Sequence, residues 1–191
     1  MRPTRRELIG GMPLALTGAA ALGSPAFAQV AEPEYVEVKT AYGKLRGARA
    51  GNLTTFKGVP YGGPITGANR FKAAPPLGPW DGVRDALAFG APSWQPGQRR
   101  NEPPQDENCL FLNVWTPAAD NRKRPVMFYS HGGGFTGGSA ASSYQDGGSL
   151  ARTFDVVVVA TNHRLGIFGY LYLGELGGEE FATSGLSLIH I

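Results

Sequence analysis

Apolar and polar positions change rhythm about halfway along the chain. In the first half they come in short alternating runs. Tyr35-Val36-Glu37-Val38-Lys39-Thr40 alternates as a strand with one face on a core and one in water. Tyr42-Gly43 turns the chain into Lys44-Leu45-Arg46-Gly47, and Thr54 to Tyr61 is a further extended piece. These predict a small antiparallel meander. The irregular stretch from Gly62 to Pro104 holds many of the 15 prolines and two of the three tryptophans. It is too apolar for a disordered linker and is expected to wrap a core and line a site.

From Cys109 onward the apolar positions become dense and β-branched. Cys109 to Trp115, Pro125 to Tyr129 and Asp155 to Thr161 read as strands, the second of them buried. Val156-Val157-Val158-Val159-Ala160 has no polar interruption, which predicts a strand covered on both faces. A polar connection from Gly138 to Phe154 leaves room for one short helix near Ser149-Leu150-Ala151-Arg152, and Phe168 to Glu180 for a short helical turn. Strands joined by such crossovers predict the central sheet of an α/β protein.

Between the second and third of these strands lies Ser130-His131-Gly132-Gly133-Gly134-Phe135-Thr136-Gly137-Gly138. Successive glycines after a strand let the backbone approach a ligand, and their N–H groups can hold an anion. Gly132-x-Gly134-x-x-Gly137 satisfies a dinucleotide fingerprint in letters only. That site also needs a helix at the last glycine and an acidic residue ending the next strand. Gly138-Ser139-Ala140-Ala141 is a poor helix start, and Asp155 begins the next strand. No Gly-Lys-Ser/Thr follows, so a P-loop is excluded. A merely structural turn explains one or two glycines more easily than this run. The remaining reading is an oxyanion hole, the role of His-Gly-Gly-Gly loops in ester hydrolases.

Composition changes the picture at the N-terminus. Thr4-Arg5-Arg6-Glu7-Leu8-Ile9 begins a weakly apolar run that ends at Ala26-Phe27-Ala28, a small-x-small cleavage site. Glycines and Pro13 dilute the run, which is short for a bilayer. Residues 1–28 are therefore expected to be a twin-arginine signal, engaging that export machinery and directing the protein to the periplasm or the medium. The signal carries Arg2, Arg5, Arg6 and Glu7, so its removal lowers the net charge from +3 to +1. The remainder offers no electrostatic case for nucleic acid or an acidic membrane surface. Arg122-Lys123-Arg124 is expected in a solvated loop. The single cysteine, Cys109, is expected to be a buried, inert thiol.

Five ordered blocks resemble the type-B carboxylesterase family, which includes the cholinesterases. They are Phe56 to Tyr61, Arg70 to Pro76, Glu107 to Trp115, His131 to Phe135, and Asn162 to Leu171. The resemblance implies that residues 29–185 are the N-terminal part of an α/β-hydrolase fold, a small meander followed by the first strands of a central mixed sheet. It implies a serine ester hydrolase acting through an acyl-enzyme on small-molecule esters, with no cofactor and no metal. Gly133 and Gly134 would donate the oxyanion-hole N–H groups, and Arg70 and Glu107 would form a structural ion pair. The family often bridges the cysteine at position 109 to one about sixteen residues earlier. Here serine (Ser93) takes that place, so the bridge is expected to be absent. Asn108 replaces the family's usual aspartate. Tyr61, Trp80, Trp94 and Phe135 are candidates to line the substrate gorge, or equally to pack the core.

The family's catalytic serine sits in G-x-S-x-G, and neither Gly137-Gly138-Ser139-Ala140-Ala141 nor Gly147-Gly148-Ser149-Leu150-Ala151 completes it. Of the three histidines, His131 belongs to the glycine loop, His163 reads as packed, and His190 is near the terminus. The triad is expected C-terminal to Gly185, and residues 186–191 read as a foreign tail. This chain alone is thus expected to be inactive. A non-catalytic adhesion or binding module of the same fold is the alternative for the whole protein.

Overall fold

The computed structural model describes residues 34–182 apart from Arg99. The expected signal, 1–28, and the expected tail, 186–191, lie outside the described residues. One seven-stranded mixed sheet organises them, in the order β1-β2-β3-β5-β7-β6 with β4 off this path. The strands are β1 (Glu34–Lys39), β2 (Lys44–Ala50), β3 (Leu53–Pro60), β4 (Val83–Asp85), β5 (Phe111–Thr116), β6 (Val126–Ser130) and β7 (Val157–Thr161).

β1, β2 and β3 form the antiparallel meander that the alternation predicts. It is not a separate unit, because β3 continues antiparallel onto β5 and β5 onto β7. β4, hidden in the proline-rich stretch, takes the edge of β2 at Lys44 to Arg46 in parallel, while β3 takes that edge at Ala48 to Ala50. β6 and β7 are parallel neighbours, so their C-terminal ends emerge side by side. Between them α1 (Gly148–Phe154) crosses over, close to the helix expected there. It seats Ala151 against Leu53, Trp115, Val158 and Ala160. Two smaller clusters lie around Leu45, Phe56 and Ala86, and around Ile65, Cys109 and Leu110. The Phe168–Glu180 region holds α2 (Gly166–Tyr170) and α3 (Gly174–Gly177).

Three expectations change. β6 is not buried: Val126 and Phe128 are 65% and 64% exposed. Its apolar content predicts burial, but β6 is an edge of the sheet and no described element covers it. β7 is not covered on both faces either; Val158 and Ala160 are buried while Val157 and Val159 are only half-buried. Finally, the basic cluster is solvated only in part: Arg122 and Lys123 are exposed and Arg124 is not. Its side chain is 5% exposed and binds both Asp120 and Asp155. Those two partly exposed carboxylates neutralise its charge, and Asp155 also pairs with Arg122 at 2.9 Å.

Candidate active site

The glycine loop leaves the C-terminal end of β6, and Asn162-His163-Arg164 leaves the C-terminal end of β7, because Ser130 and Thr161 are in register. Carboxyl ends of adjacent parallel strands are where open α/β sheets bind ligands. The two exits bring His131 and His163 face to face, with ring centroids 4.3 Å apart and planes 17° from parallel.

The loop then folds back on itself. Gly133 carbonyl accepts from Thr136 N–H and Gly137 N–H, both at 3.2 Å, and from the Thr136 hydroxyl at 3.2 Å. Gly133 has φ +135°, and a Cβ there would lie 1.8 Å from Gly137 oxygen. Gly138 has φ +124°, and its Cβ would strike His131 Nδ1 at 2.2 Å. Phe135 holds φ +63° although it carries a bulky side chain. Its carbonyl accepts Gly166 N–H at 2.8 Å and its ring leans on Tyr170 at 4.8 Å. Gly133 and Gly134 are exposed, and their N–H groups bond to no other described residue. No helix starts at Gly138, so the dinucleotide reading lacks its anion-binding helix end.

Three amide side chains far away in sequence fasten the segment after the loop. Gln95 Oε1 accepts Gly138 N–H at 2.8 Å, and Gln95 Nε2 donates to Gly138 oxygen at 2.9 Å. Asn162 Oδ1 accepts Ala140 N–H at 2.7 Å, while Asn113 Nδ2 donates to Ala140 oxygen at 3.0 Å. Sequence reasoning missed these roles. Gln95 and Gly138 are 43 residues apart and no periodicity links them. The asparagines did carry a signal: a polar residue in or beside a dense apolar run needs a buried partner.

A cavity of about 690 Å³ opens against this loop. Tyr61, Leu112, Phe128, Phe135 and Tyr170 give it apolar walls, and Gly132 to Gly134 form one rim. Tyr61 and Phe135 thus line this cavity, and Tyr61 also packs against the Ile65 cluster. Trp94 lies instead on a neighbouring depression with Ile167 and Phe168. Trp80 is elsewhere, stacked on Tyr42 and packed beside the Leu45 cluster.

His163 also faces the cavity. Burial, followed by the neighbouring His131 ring, holds its pKa down at about 4, so it is neutral at pH 7. Ser130 Oγ lies 3.4 Å from His163 Nδ1, at the outer limit of a hydrogen bond. Ser139 is fully buried and accepts Ala141 N–H at 2.9 Å, and Ser149 lies on α1.

Arg70 and Glu107 meet in a two-pronged ion pair at 2.6 and 2.7 Å. They lie off the cavity and tie the turn at Gly67–Asn69 to the segment entering β5. Asn108 Oδ1 accepts Ile65 N–H at 3.0 Å, an acceptor role that needs no charge. Cys109 is a free thiol with no exposure, and burial pushes its pKa up to about 11. Ser93 hydrogen-bonds to it and also accepts Leu165 N–H at 3.0 Å. A buried thiol so hard to ionise is a poor nucleophile.

Two exposed N–H groups that bond to no other described residue, on a constrained loop, can stabilise a negative oxygen. The Carboxylesterase family profile matches residues 34–180. Para-nitrobenzyl esterase of Bacillus subtilis (strain 168) is 40% identical over 154 residues, covering 78% of this chain and 32% of that protein. Phenmedipham hydrolase of Pseudarthrobacter oxydans is 41% identical over 140 residues, covering 69% of this chain and 28% of that protein. The crystal structure of Geobacillus stearothermophilus carboxylesterase EST55 superposes with a TM-score of 0.73 at 45% identity, covering 78% of this chain and 30% of that one. The chain therefore spans about a third of the length of the relatives it matches. Its sheet is that of the α/β-hydrolase fold of these neighbours.

Proposed function

Because this chain belongs to the carboxylesterase family, we propose that the protein it is part of hydrolyses carboxylic esters through an acyl-enzyme. The observation that carries this is the pair of free N–H groups at Gly133 and Gly134 on the rim of the 690 Å³ cavity. A serine from the remainder of the protein attacks the ester carbon. A histidine accepts its proton and passes it to the leaving alkoxide. The tetrahedral oxyanion sits on Gly133 and Gly134, and each such donor is worth roughly 3 kcal/mol in the transition state. Water then attacks the acyl-enzyme and releases the acid. The apolar walls suit esters with hydrophobic acyl or alcohol parts. Residues 1–28 send the protein across the inner membrane by the twin-arginine route, and residues 186–191 take no part.

The test is the full-length protein assayed with p-nitrophenyl acetate and butyrate, before and after a phosphonate that labels active serines. Hydrolysis abolished by one label per chain, on a serine in G-x-S-x-G, is the expected result. No hydrolysis, with another residue at that serine's place, would make the protein a non-catalytic relative of the same fold.

A further inference from the structure

Three of the glycine loop's internal bonds converge on Gly133 oxygen, each a long 3.2 Å. The closure brings Gly137 oxygen so near Gly133 that a Cβ would stand 1.8 Å from it. Gly137 carbonyl and Gly138 N–H belong to one planar peptide unit, so the direction of the N–H sets the direction of the carbonyl. Gln95 Oε1 takes that N–H at 2.8 Å, and Gln95 Nε2 donates to the next carbonyl, Gly138 oxygen, at 2.9 Å. A side-chain amide presents the same donor and acceptor as a peptide group, so Gln95 pairs with Gly138 as a neighbouring strand would.

Gln95 is itself well fixed. Its N–H donates to Gln105 Oε1 at 2.9 Å, and its Nε2 also reaches Ser93 oxygen at 3.2 Å. Ser93 in turn accepts Leu165 N–H at 3.0 Å. The proline-rich loop thereby reaches across to the glycine loop through one side chain. We propose that Gln95 is a positioning residue of the oxyanion cradle: by orienting the Gly137–Gly138 peptide it fixes the carbonyl against which Gly133 packs, and so aims the Gly133 and Gly134 N–H groups. Gln95 touches no substrate. This inference rests on the ester-hydrolase reading above.

The test uses the full-length protein with Gln95→Met, which keeps length and loses both bonds, and Gln95→Glu, which keeps the acceptor for Gly138 N–H. In Gln95→Met, amide hydrogen exchange over Gly132 to Gly138 should quicken. The value of kcat on p-nitrophenyl butyrate should fall roughly 10- to 100-fold, with KM within about threefold. Affinity for a trifluoromethyl ketone, which becomes an oxyanion on binding, should fall in parallel with kcat/KM. Gln95→Glu should lie between Gln95→Met and the parent. A protein that keeps its loop protection and its kcat in Gln95→Met overturns the inference. If Gln95→Met does not fold, the Gln95→Glu exchange decides in the same way. A parent that hydrolyses no ester overturns the functional reading, while the exchange result still decides what Gln95 does.

Discussion

Gly133 and Gly134 are adjacent and have the same proposed task, yet they are constrained differently. A Cβ on Gly133 collides with Gly137 oxygen at 1.8 Å, whereas one on Gly134 meets nothing within 4 Å. Gly133→Ala must therefore open the loop, and in the full-length enzyme kcat should fall roughly 100-fold or more. Gly134→Ala meets only the left-handed backbone, at φ +60°, which costs about 1–2 kcal/mol. Its kcat should fall less than about tenfold, and equal losses would show that the collision is absorbed elsewhere. His163 gives a prediction in pH. Its folded pKa of about 4 lies below its ordinary value of 6.5, so the unfolded chain takes up a proton first as pH falls. Its contribution is complete above pH 6.5, declines as pH falls toward 4, and is gone below that, up to about 2–3 kcal/mol in all. Urea midpoints measured from pH 7 to 4 should fall accordingly, and His163→Phe should flatten that decline. Asp120 cannot produce this window. Arg124 holds its carboxylate down at about 2, so its contribution is lost only below its ordinary 3.8.

At the scale of elements, β6 is an exposed and strongly apolar edge of the sheet. It pairs with β7 along one side and with nothing described along the other, while Val126 and Phe128 stand in solvent. An unpaired apolar edge recruits other strands. This chain expressed without further sequence should self-associate. Phe128→Lys, which places a charge on that strand, should shift light scattering toward smaller species. A parent chain that runs as a monomer with a cooperative thermal transition would show the edge to be protected. The alternation around Val36 and the turn at Tyr42-Gly43 made the meander legible, because those signals are local. The dense run at β6 was legible as a strand but not as an exposed one. Hydrophobicity reports what a face prefers, and the neighbour that would cover it lies elsewhere in the chain. β4 escaped notice because three exposed residues carry no period, and its pairing with β2 spans about forty residues that include β3 and an irregular stretch. The glycine loop was legible through its composition. Its fastening to Gln95, Asn113 and Asn162 was not, since single amides at long separation leave no pattern.

For the molecule as a whole, the question is whether the cavity lined by the described residues already contains a nucleophile. Ser130 is the candidate, since it lies 3.4 Å from His163 Nδ1 on the wall that carries the glycine loop. The protonation behaviour of His163 argues against it, since a useful base needs a pKa near working pH. His163 is held at about 4, and no described carboxylate contributes to its charge state to raise it. An imidazole so reluctant to gain a proton is a weak general base for a serine hydroxyl at neutral pH. Its stack on His131 adds to this, because a charge on one ring would face the other. On the function proposed above, the residues of this chain serve as a cradle and a wall, and the attacking group comes from the rest of the protein. Ser130→Ala in the full-length enzyme should leave kcat on p-nitrophenyl butyrate within about threefold of the parent. The 191-residue chain alone should give no hydrolysis above buffer. A loss of activity in Ser130→Ala comparable to that in Gly133→Ala, with the phosphonate label on Ser130, would move the nucleophile into this chain and require His163 to be more basic than its surroundings allow.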